Sequence, residues 1–289
     1  MIGRRGLMGM GAALAAGPLA EAGQAAVPEA GFAAIEAATG GRLGVAVLDG
    51  VGGRLLAGHR AEALFPMCST FKLLAAAAVL ARADRGQDRL ERRIVLRQAD
   101  MVPYAPVTSK RLGGEGMTLA ELCEAAVTLS DNPAANALLA SLGGPQGLTD
   151  FARAIGDSVT RLDRTEPTLN EALPGDPRDT TSPLAMAGTI RRLVLGEVLA
   201  PASRERLAGW LLANRTGDRK LRAGLPAGWR AAEKTGSGAN GTSNDAGVLF
   251  PPGRPPLVVA VYLTGATVPE AGRDAAIAAV AREVVARLG

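Results

Sequence analysis

Apolar positions along this chain follow two periods, and the two periods occupy different parts of it. Residues 42–49 (RLGVAVLD) alternate and are rich in β-branched side chains, which predicts a strand. Gly50-Val51-Gly52-Gly53 then supplies a hairpin turn, with a return strand expected over 54–60. The same pattern comes back near the other end, over 230–237, 242–250 and 256–264. Helical spacing dominates elsewhere. Residues 28–39 place Phe32, Ile35 and Ala38 on one side of a helix. Thr118-Leu119-Ala120-Glu121 is a capping box that opens a helix running to 129. A second helix follows over 131–142, with Pro133 in its first turn, where no N–H is needed. Further helices are predicted over 145–155, 182–195, 201–214 and 271–288.

Strands at both ends and helices between them predict an α/β protein of the α+β type. Its five-stranded antiparallel sheet would be flanked by helices and interrupted by an inserted all-helical domain. The expected boundaries are 27–62 plus 213–289 for the sheet domain and 63–212 for the helical one. One stretch, 161–181, has no period and carries Pro167, Pro174, Gly175 and Pro177. An irregular loop of that length inside a compact domain is usually functional. The crevice between the two domains is the expected place for a site.

Composition narrows the classes. A chain of 289 residues, 47% hydrophobic and 21% charged, can bury a proper core. The net charge of +4 is spread along the chain, with no basic block interleaved with aromatics, so no nucleic-acid footprint is present. At the start, Arg4-Arg5 precede a small and apolar run, Gly6 onward to Leu19. This predicts an export signal of twin-arginine type over 1–26, cut near Ala20-Glu21-Ala22 or Gly23-Gln24-Ala25. Periplasmic or secreted placement without a stable membrane anchor follows. His59 is the sole histidine, which argues against a Ser-His-Asp triad and a histidine-rich metal site, and no cofactor is expected. Against 32 basic residues the only lysines are Lys72, Lys110, Lys220 and Lys234, which suggests that a removable proton matters at some of them.

The candidate chemistry starts at Ser69-Thr70-Phe71-Lys72, where an apolar approach ends and the alanine-rich helix begins. Ser69 would sit at a helix N-terminus, whose free N–H groups favour negative charge. Lys72, three residues on, would lie on the same face. A serine needs an adjacent base to become a nucleophile, and a lysine with a depressed pKa can serve. Three other clusters fit acyl transfer: Ser130-Asp131-Asn132 at a helix junction, Lys234-Thr235-Gly236-Ser237 at a strand end, and Glu166 with Asn170 in the loop. Lysine and threonine at a strand edge suit a carboxylate, and a Glu and Asn four apart can hold one water. Singly, each has a plain structural alternative: an N-cap, an edge-protecting lysine, a solvated glutamate.

Together, in this order, the four clusters resemble the class A serine β-lactamases, over everything from about residue 28 onward. The resemblance implies that Ser69 attacks the lactam carbonyl and that the N–H groups of Ser69 and Ser237 form the oxyanion hole. Lys72, or Glu166 directly or through a water, takes the serine proton. It further implies that Ser130 protonates the departing nitrogen, that Asn132 holds the side-chain amide of the substrate, and that Glu166 and Asn170 hold the hydrolytic water. Lys234, Thr235, Gly236 and Ser237 would line the carboxylate site, and Tyr104 would wall the cleft mouth. An Arg164–Asp179 ion pair closing the loop and a cis Glu166–Pro167 bond are implied as well.

Departures from the pattern matter. Thr242, Ser243 and Asn244 stand where many relatives have a carboxylate-binding arginine. Arg273, followed by Asp274, is the favoured replacement, with Lys220 the second candidate. The resemblance sets Cys123 opposite Ala76, about 12 Å along a helix from Cys68, so two free thiols are expected. Cys68, Ser237 and Asn244-Asp245 resemble oxyimino-cephalosporin-hydrolysing relatives. The expected partners are β-lactam antibiotics alone, bound by a monomer. The competing readings are a penicillin-binding D,D-peptidase and a non-hydrolysing β-lactam sensor. Glu166 with Asn170 argues against the peptidase, which lacks a dedicated deacylating water. Sensor domains are normally tethered to a membrane helix, and no stretch beyond the export signal is long and apolar enough to be one.

Overall fold

The computed structural model describes residues 1–3 and 30–288. All but the first three residues of the expected export segment lie outside them. Helix α1 (Ala30–Thr39) leads into the hairpin β1 (Arg42–Asp49) and β2 (Leu55–His59). A two-residue strand β3 (Phe65–Pro66) precedes a 3-10 turn at Cys68–Thr70 and helix α2 (Phe71–Asp84). Short strands β4 (Arg93–Ile94) and β5 (Met117–Thr118) bracket a connecting segment, followed by α3 (Leu119–Thr128), α4 (Asn132–Leu142) and α5 (Gly144–Ala154). The irregular loop ends in β6 (Thr180–Thr181), and α6 (Pro183–Val194) and α7 (Pro201–Leu212) come next. Strands β7 (Arg230–Gly238), β8 (Thr242–Phe250) and β9 (Leu257–Thr264) and helix α8 (Glu270–Leu288) complete the chain.

The five long strands form one antiparallel sheet in the order β2-β1-β9-β8-β7, so strands from both ends of the chain interleave. Alternation decides which layer each side chain joins. Leu43, Val45 and Val47 of β1 and Val259, Val261 and Leu263 of β9 face Phe32, Ile277, Val280 and Val284 of the terminal helices. Ala46 and Leu48 of β1 and Val258, Ala260 and Tyr262 of β9 face the opposite way, into the larger core. Both faces of the sheet are therefore covered, and burial of each valine or leucine stabilises the fold by about 1.5–3 kcal/mol.

Helix α2 is apolar all round, and every residue from Phe71 to Ala81 is buried. A helix of that kind belongs at the centre of a bundle, and α3, α4, α5 and α7 all contact it. Helix α6, which the sequence pattern assigns to the inserted helical part, packs directly on β1, β8 and β9. One continuous apolar cluster consequently spans the sheet and the helices. The pairs β3–β6 and β4–β5 were not predicted. Two residues cannot show a period.

Strand β7 lies at the sheet edge. Its free side looks onto the start of α2 and the end of α3, and the cleft lies there.

Candidate active site

Ser69 lies in the 3-10 turn Cys68–Thr70, one turn before α2. Three contacts fix this turn. The Met67 N–H donates to the Asp179 carbonyl at 2.9 Å, tying it to the irregular loop. Asn244 Nδ2 of β8 donates to the Met67 carbonyl at 3.1 Å, and Thr70 Oγ1 donates to the same carbonyl at 2.8 Å. Cys68 takes a left-handed φ of 45°. This is a costly conformation for a non-glycine residue, held here by its surroundings.

Lys72 is fully buried. Its Nζ donates to the Ser130 carbonyl at 2.7 Å, to Asn132 Oδ1 at 2.5 Å and to Ser130 Oγ at 3.3 Å, and lies 3.0 Å from Glu166 Oε1. Burial pushes the Lys72 ammonium below its usual pKa, with the Glu166 carboxylate opposing the shift. From the other side Lys234 Nζ donates to Ser130 Oγ at 3.1 Å. Lys234 is driven well below the ordinary lysine range by burial and then by the positive charges of Lys72 and Lys220. The Ser130 hydroxyl thus sits between two lysines that release protons easily.

The Ser130-Asp131-Asn132 junction combines the capping and cleft-facing readings that the sequence left open. Asp131 caps α4 by accepting from Ala134 N at 3.0 Å. It also accepts from the N–H groups of Val107 and Thr108 at 2.9 and 3.0 Å, which anchors the segment carrying Tyr104. Ser130 adopts a φ of 57° and Tyr104 one of 66°. The Asn132 N–H donates to the Tyr104 carbonyl at 3.0 Å, and the 58% exposed Tyr104 ring stands at the cleft mouth.

Glu166 comes to Ser69 from the irregular loop. Ser69 Oγ donates to Glu166 Oε1 at 3.1 Å, across 97 residues of chain. Asn170, at the end of the 3-10 turn Thr168–Asn170, donates from Nδ2 to Glu166 Oε2. Its Oδ1 is buried and has no partner among the described residues. The neck of the loop is closed as expected: Arg164 Nε lies 2.6 Å from Asp179 Oδ2, and Asp179 Oδ1 accepts from the N–H groups of Asp163 and Arg164 at 2.8 and 2.9 Å. The Glu166–Pro167 bond is cis. One further holder escaped sequence reasoning. Asn136 accepts from Glu166 N and donates to its carbonyl, both at 2.9 Å. It lies four residues after Asn132 on the same helix, and that i,i+4 polar pair on an otherwise apolar helix was the available signal.

Two glycines let β7 reach this group. A Cβ at Gly236 would lie 2.8 Å from the Met67 carbonyl, and one at Gly238 would lie 2.7 Å from Cys68 Sγ and 2.8 Å from the Asn170 carbonyl. Neither glycine has a left-handed φ, so the close approach itself excludes a side chain. Gly238→Ala is expected to push β7 away from the loop, costing about 1–3 kcal/mol and slowing deacylation through displaced Asn170. A thermal melt unchanged from the parent enzyme would refute this. Cys68 and Cys123 are both buried and free. Burial, with the Glu166 charge adding to it, pushes the Cys68 thiol up to about 12.

Ser69, Tyr104, Ser130, Asn132, Asn170 and Gly236 line a cleft of about 570 Å³ that also contains Thr235, Ser237 and Lys220. Lys220 is 5% exposed and reaches the carbonyls of Gly236 and Asn244 at 3.3 and 3.2 Å, with Ser237 Oγ at 3.5 Å. Arg273, the favoured carboxylate ligand, does not line the cleft, and its Nη1 donates to the Val268 carbonyl at 3.0 Å. Helical phase explains the difference. Glu270 and Asp274, four apart at the start of α8, do face the cleft. Arg273 is turned by about 100° from Asp274 and by about 60° from Glu270, on the side away from the arc those two present to the cleft.

Residues 28–288 match the Beta-lactamase enzyme family. The chain is 51% identical over 233 residues to beta-lactamase CTX-M-8 of Citrobacter amalonaticus, covering 81% of this chain and 79% of that one. It is 50% identical over 252 residues to beta-lactamase L2 of Stenotrophomonas maltophilia, covering 87% and 82%. Among solved structures, an ancestral (GNCA) class A beta-lactamase superposes with a TM-score of 0.86 at 62% identity, over 88% of this chain and 97% of that one. A putative class A beta-lactamase, PenP, from Rhodopseudomonas palustris does so with a TM-score of 0.87 at 58% identity, over 89% and 98%. With its sheet, its helices and nearly its whole described length accounted for in this way, the chain belongs to the class A serine β-lactamases, enzymes that hydrolyse β-lactams.

Proposed function

We propose that this β-lactamase opens the lactam with Ser69 and frees itself with a water held by Glu166 and Asn170. The observation that carries the reading is the buried contact of Ser69 Oγ with Glu166 Oε1 at 3.1 Å, flanked by Lys72 at 3.0 Å from the same oxygen. In acylation the Ser69 proton passes to Glu166 as Oγ attacks the carbonyl carbon. Charge developing on the carbonyl oxygen meets the N–H groups of Ser69 and Ser237, donors for the oxyanion that forms in the transition state. As the C–N bond breaks, Ser130 gives its proton to the nitrogen and is resupplied through Lys72 and Lys234, both bonded to its hydroxyl, while Lys72 takes from Glu166, across their 3.0 Å contact, the proton that came from Ser69. In deacylation Glu166, returned to its carboxylate form, takes a proton from the attacking water and hands it to Ser69 Oγ as the ester C–O bond breaks, and Oδ1 of Asn170, without a partner among the described residues, supplies the second contact that positions the water.

The substrate carboxylate is received by Lys234, Thr235 and Ser237, and Lys220 stands in for the missing arginine, because Lys220 and not Arg273 lines the cleft. Asn132 and Tyr104 receive the acyl side chain. No helix among the described residues is long and apolar enough to cross a membrane.

A D,D-peptidase or a β-lactam sensor would share the serine, the lysine and the Lys-Thr-Gly strand but would stay acylated. Mixing the enzyme with excess chromogenic cephalosporin separates them. Sustained turnover is expected, with a Ser69 ester caught by rapid acid quench and mass spectrometry. A single burst equal to the enzyme concentration would overturn the reading.

A further inference from the structure

The carboxylate end of the cleft holds an acidic side chain that the scheme above does not use. Asp274 lines the cleft, is 4% exposed, and has a buried Oδ1 without a partner among the described residues. Its charge acts on Lys220, second among the carboxylates to that of Asp245. A buried carboxylate in the same cleft as the lysine that must receive a carboxylate works against binding twice: it repels the substrate, and it adds to the resident counter-charge on Lys220.

Arg219 answers Asp274. Its Nε lies 3.1 Å from Asp274 Oδ2, and its Nη2 donates to Glu270 Oε1 at 3.1 Å. The two acids are four apart on the first turn of α8, so they present neighbouring carboxylates to one planar guanidinium. The two contacts differ in weight. The Glu270 carboxylate is 71% exposed, and a pair between it and an exposed arginine contributes little. The Asp274 side chain is 6% exposed, so little water screens it and the guanidinium is its main neutralising partner.

We infer that Arg219 is a specificity-determining residue: it neutralises Asp274 and so keeps Lys220 available for the carboxylate of an incoming β-lactam. It acts through Asp274 and Lys220 and touches no reacting atom, so its effect falls on binding of anionic substrates and not on the chemical steps. The inference rests on the reading of Lys220 as the carboxylate anchor.

The test compares a cephalosporin carrying its free ring carboxylate with the methyl ester of the same compound. Arg219→Gln is expected to raise KM for the acid about tenfold, with kcat within about twofold and the ester unaffected. The double variant Arg219→Gln/Asp274→Asn is expected to return KM for the acid to near the parental value, because the group needing neutralisation is gone. An equal change for acid and ester, an unchanged KM for the acid, or a double variant no better than the single would each overturn the inference. Lys220→Met reports on the anchor separately. If it leaves the preference for acid over ester intact, the anchor reading fails. If it abolishes that preference while Arg219→Gln does nothing, only the role of Arg219 fails.

Discussion

Replacement of Glu166 by alanine is expected to leave the enzyme trapped as its ester. After addition of a cephalosporin, mass spectrometry should find a persistent adduct on Ser69, with turnover lowered by on the order of 10³. The structure separates this effect from a folding defect. The loop that carries Glu166 is held by Asn136 through the Glu166 backbone and by the Arg164–Asp179 pair, none of which needs the Glu166 carboxylate. Alanine therefore removes the acceptor facing Ser69 and Asn170 while the loop keeps its attachments. It also removes the charge that holds the proton on Lys72, so the Lys72 pKa falls further below its usual value and neutral Lys72 is the base left to take the Ser69 proton, which lets the ester form. Turnover at the parental rate in this variant would exclude Glu166 from deacylation.

Lys72→Met tests the other side of the same oxygen. Methionine fills a similar volume but loses the donor to Ser130, Asn132 and Glu166. Acylation, followed by stopped flow as the rate of ester formation, is expected to fall by on the order of 10³. A second readout distinguishes this from simple disorder. Lys72 is one of the charges that depress Lys234, after burial itself. Removing it raises the Lys234 pKa. Lys234 is useful to an anionic substrate only while protonated, and it loses its proton as pH rises through that pKa. The alkaline limb of binding should accordingly move to higher pH in the variant. Acylation within tenfold of the parent, or an alkaline limb that moves down, would sink the proposal.

Most of the architecture was legible because its periods are strong. The strands over 42–49 and 242–250 coincide with β1 and β8. The capping box at Thr118 and Glu121 is formed by both of its bonds. The chemistry-bearing clusters were legible for a different reason. Each is short and local, and a serine three residues before a lysine at the head of a helix has few other uses when three further clusters follow in order. Arg273 shows the limit. Both it and Lys220 were visible as spare cations, but choosing between them needs the phase of α8 against the cleft, and its residues 270–274 fix that phase only once the helix is docked on the sheet. Asn136 shows another limit, since its work is done on backbone atoms of a loop 30 residues away.

The amino-acid order by itself determined the strands and helices, the pairing of Ser69 with Lys72 at a helix start, and the identity of the titratable groups, because periodicity and helix-start geometry are properties of neighbouring residues. Tertiary structure alone decided which of those groups meet. Ser69 and Glu166 are 97 positions apart and 3.1 Å apart in space. Two lysines share one serine hydroxyl only because α2, the Ser130 junction and the edge strand β7 converge there. Their burial at that point, which no local pattern encodes, is what shifts their proton affinities and makes the cleft reactive.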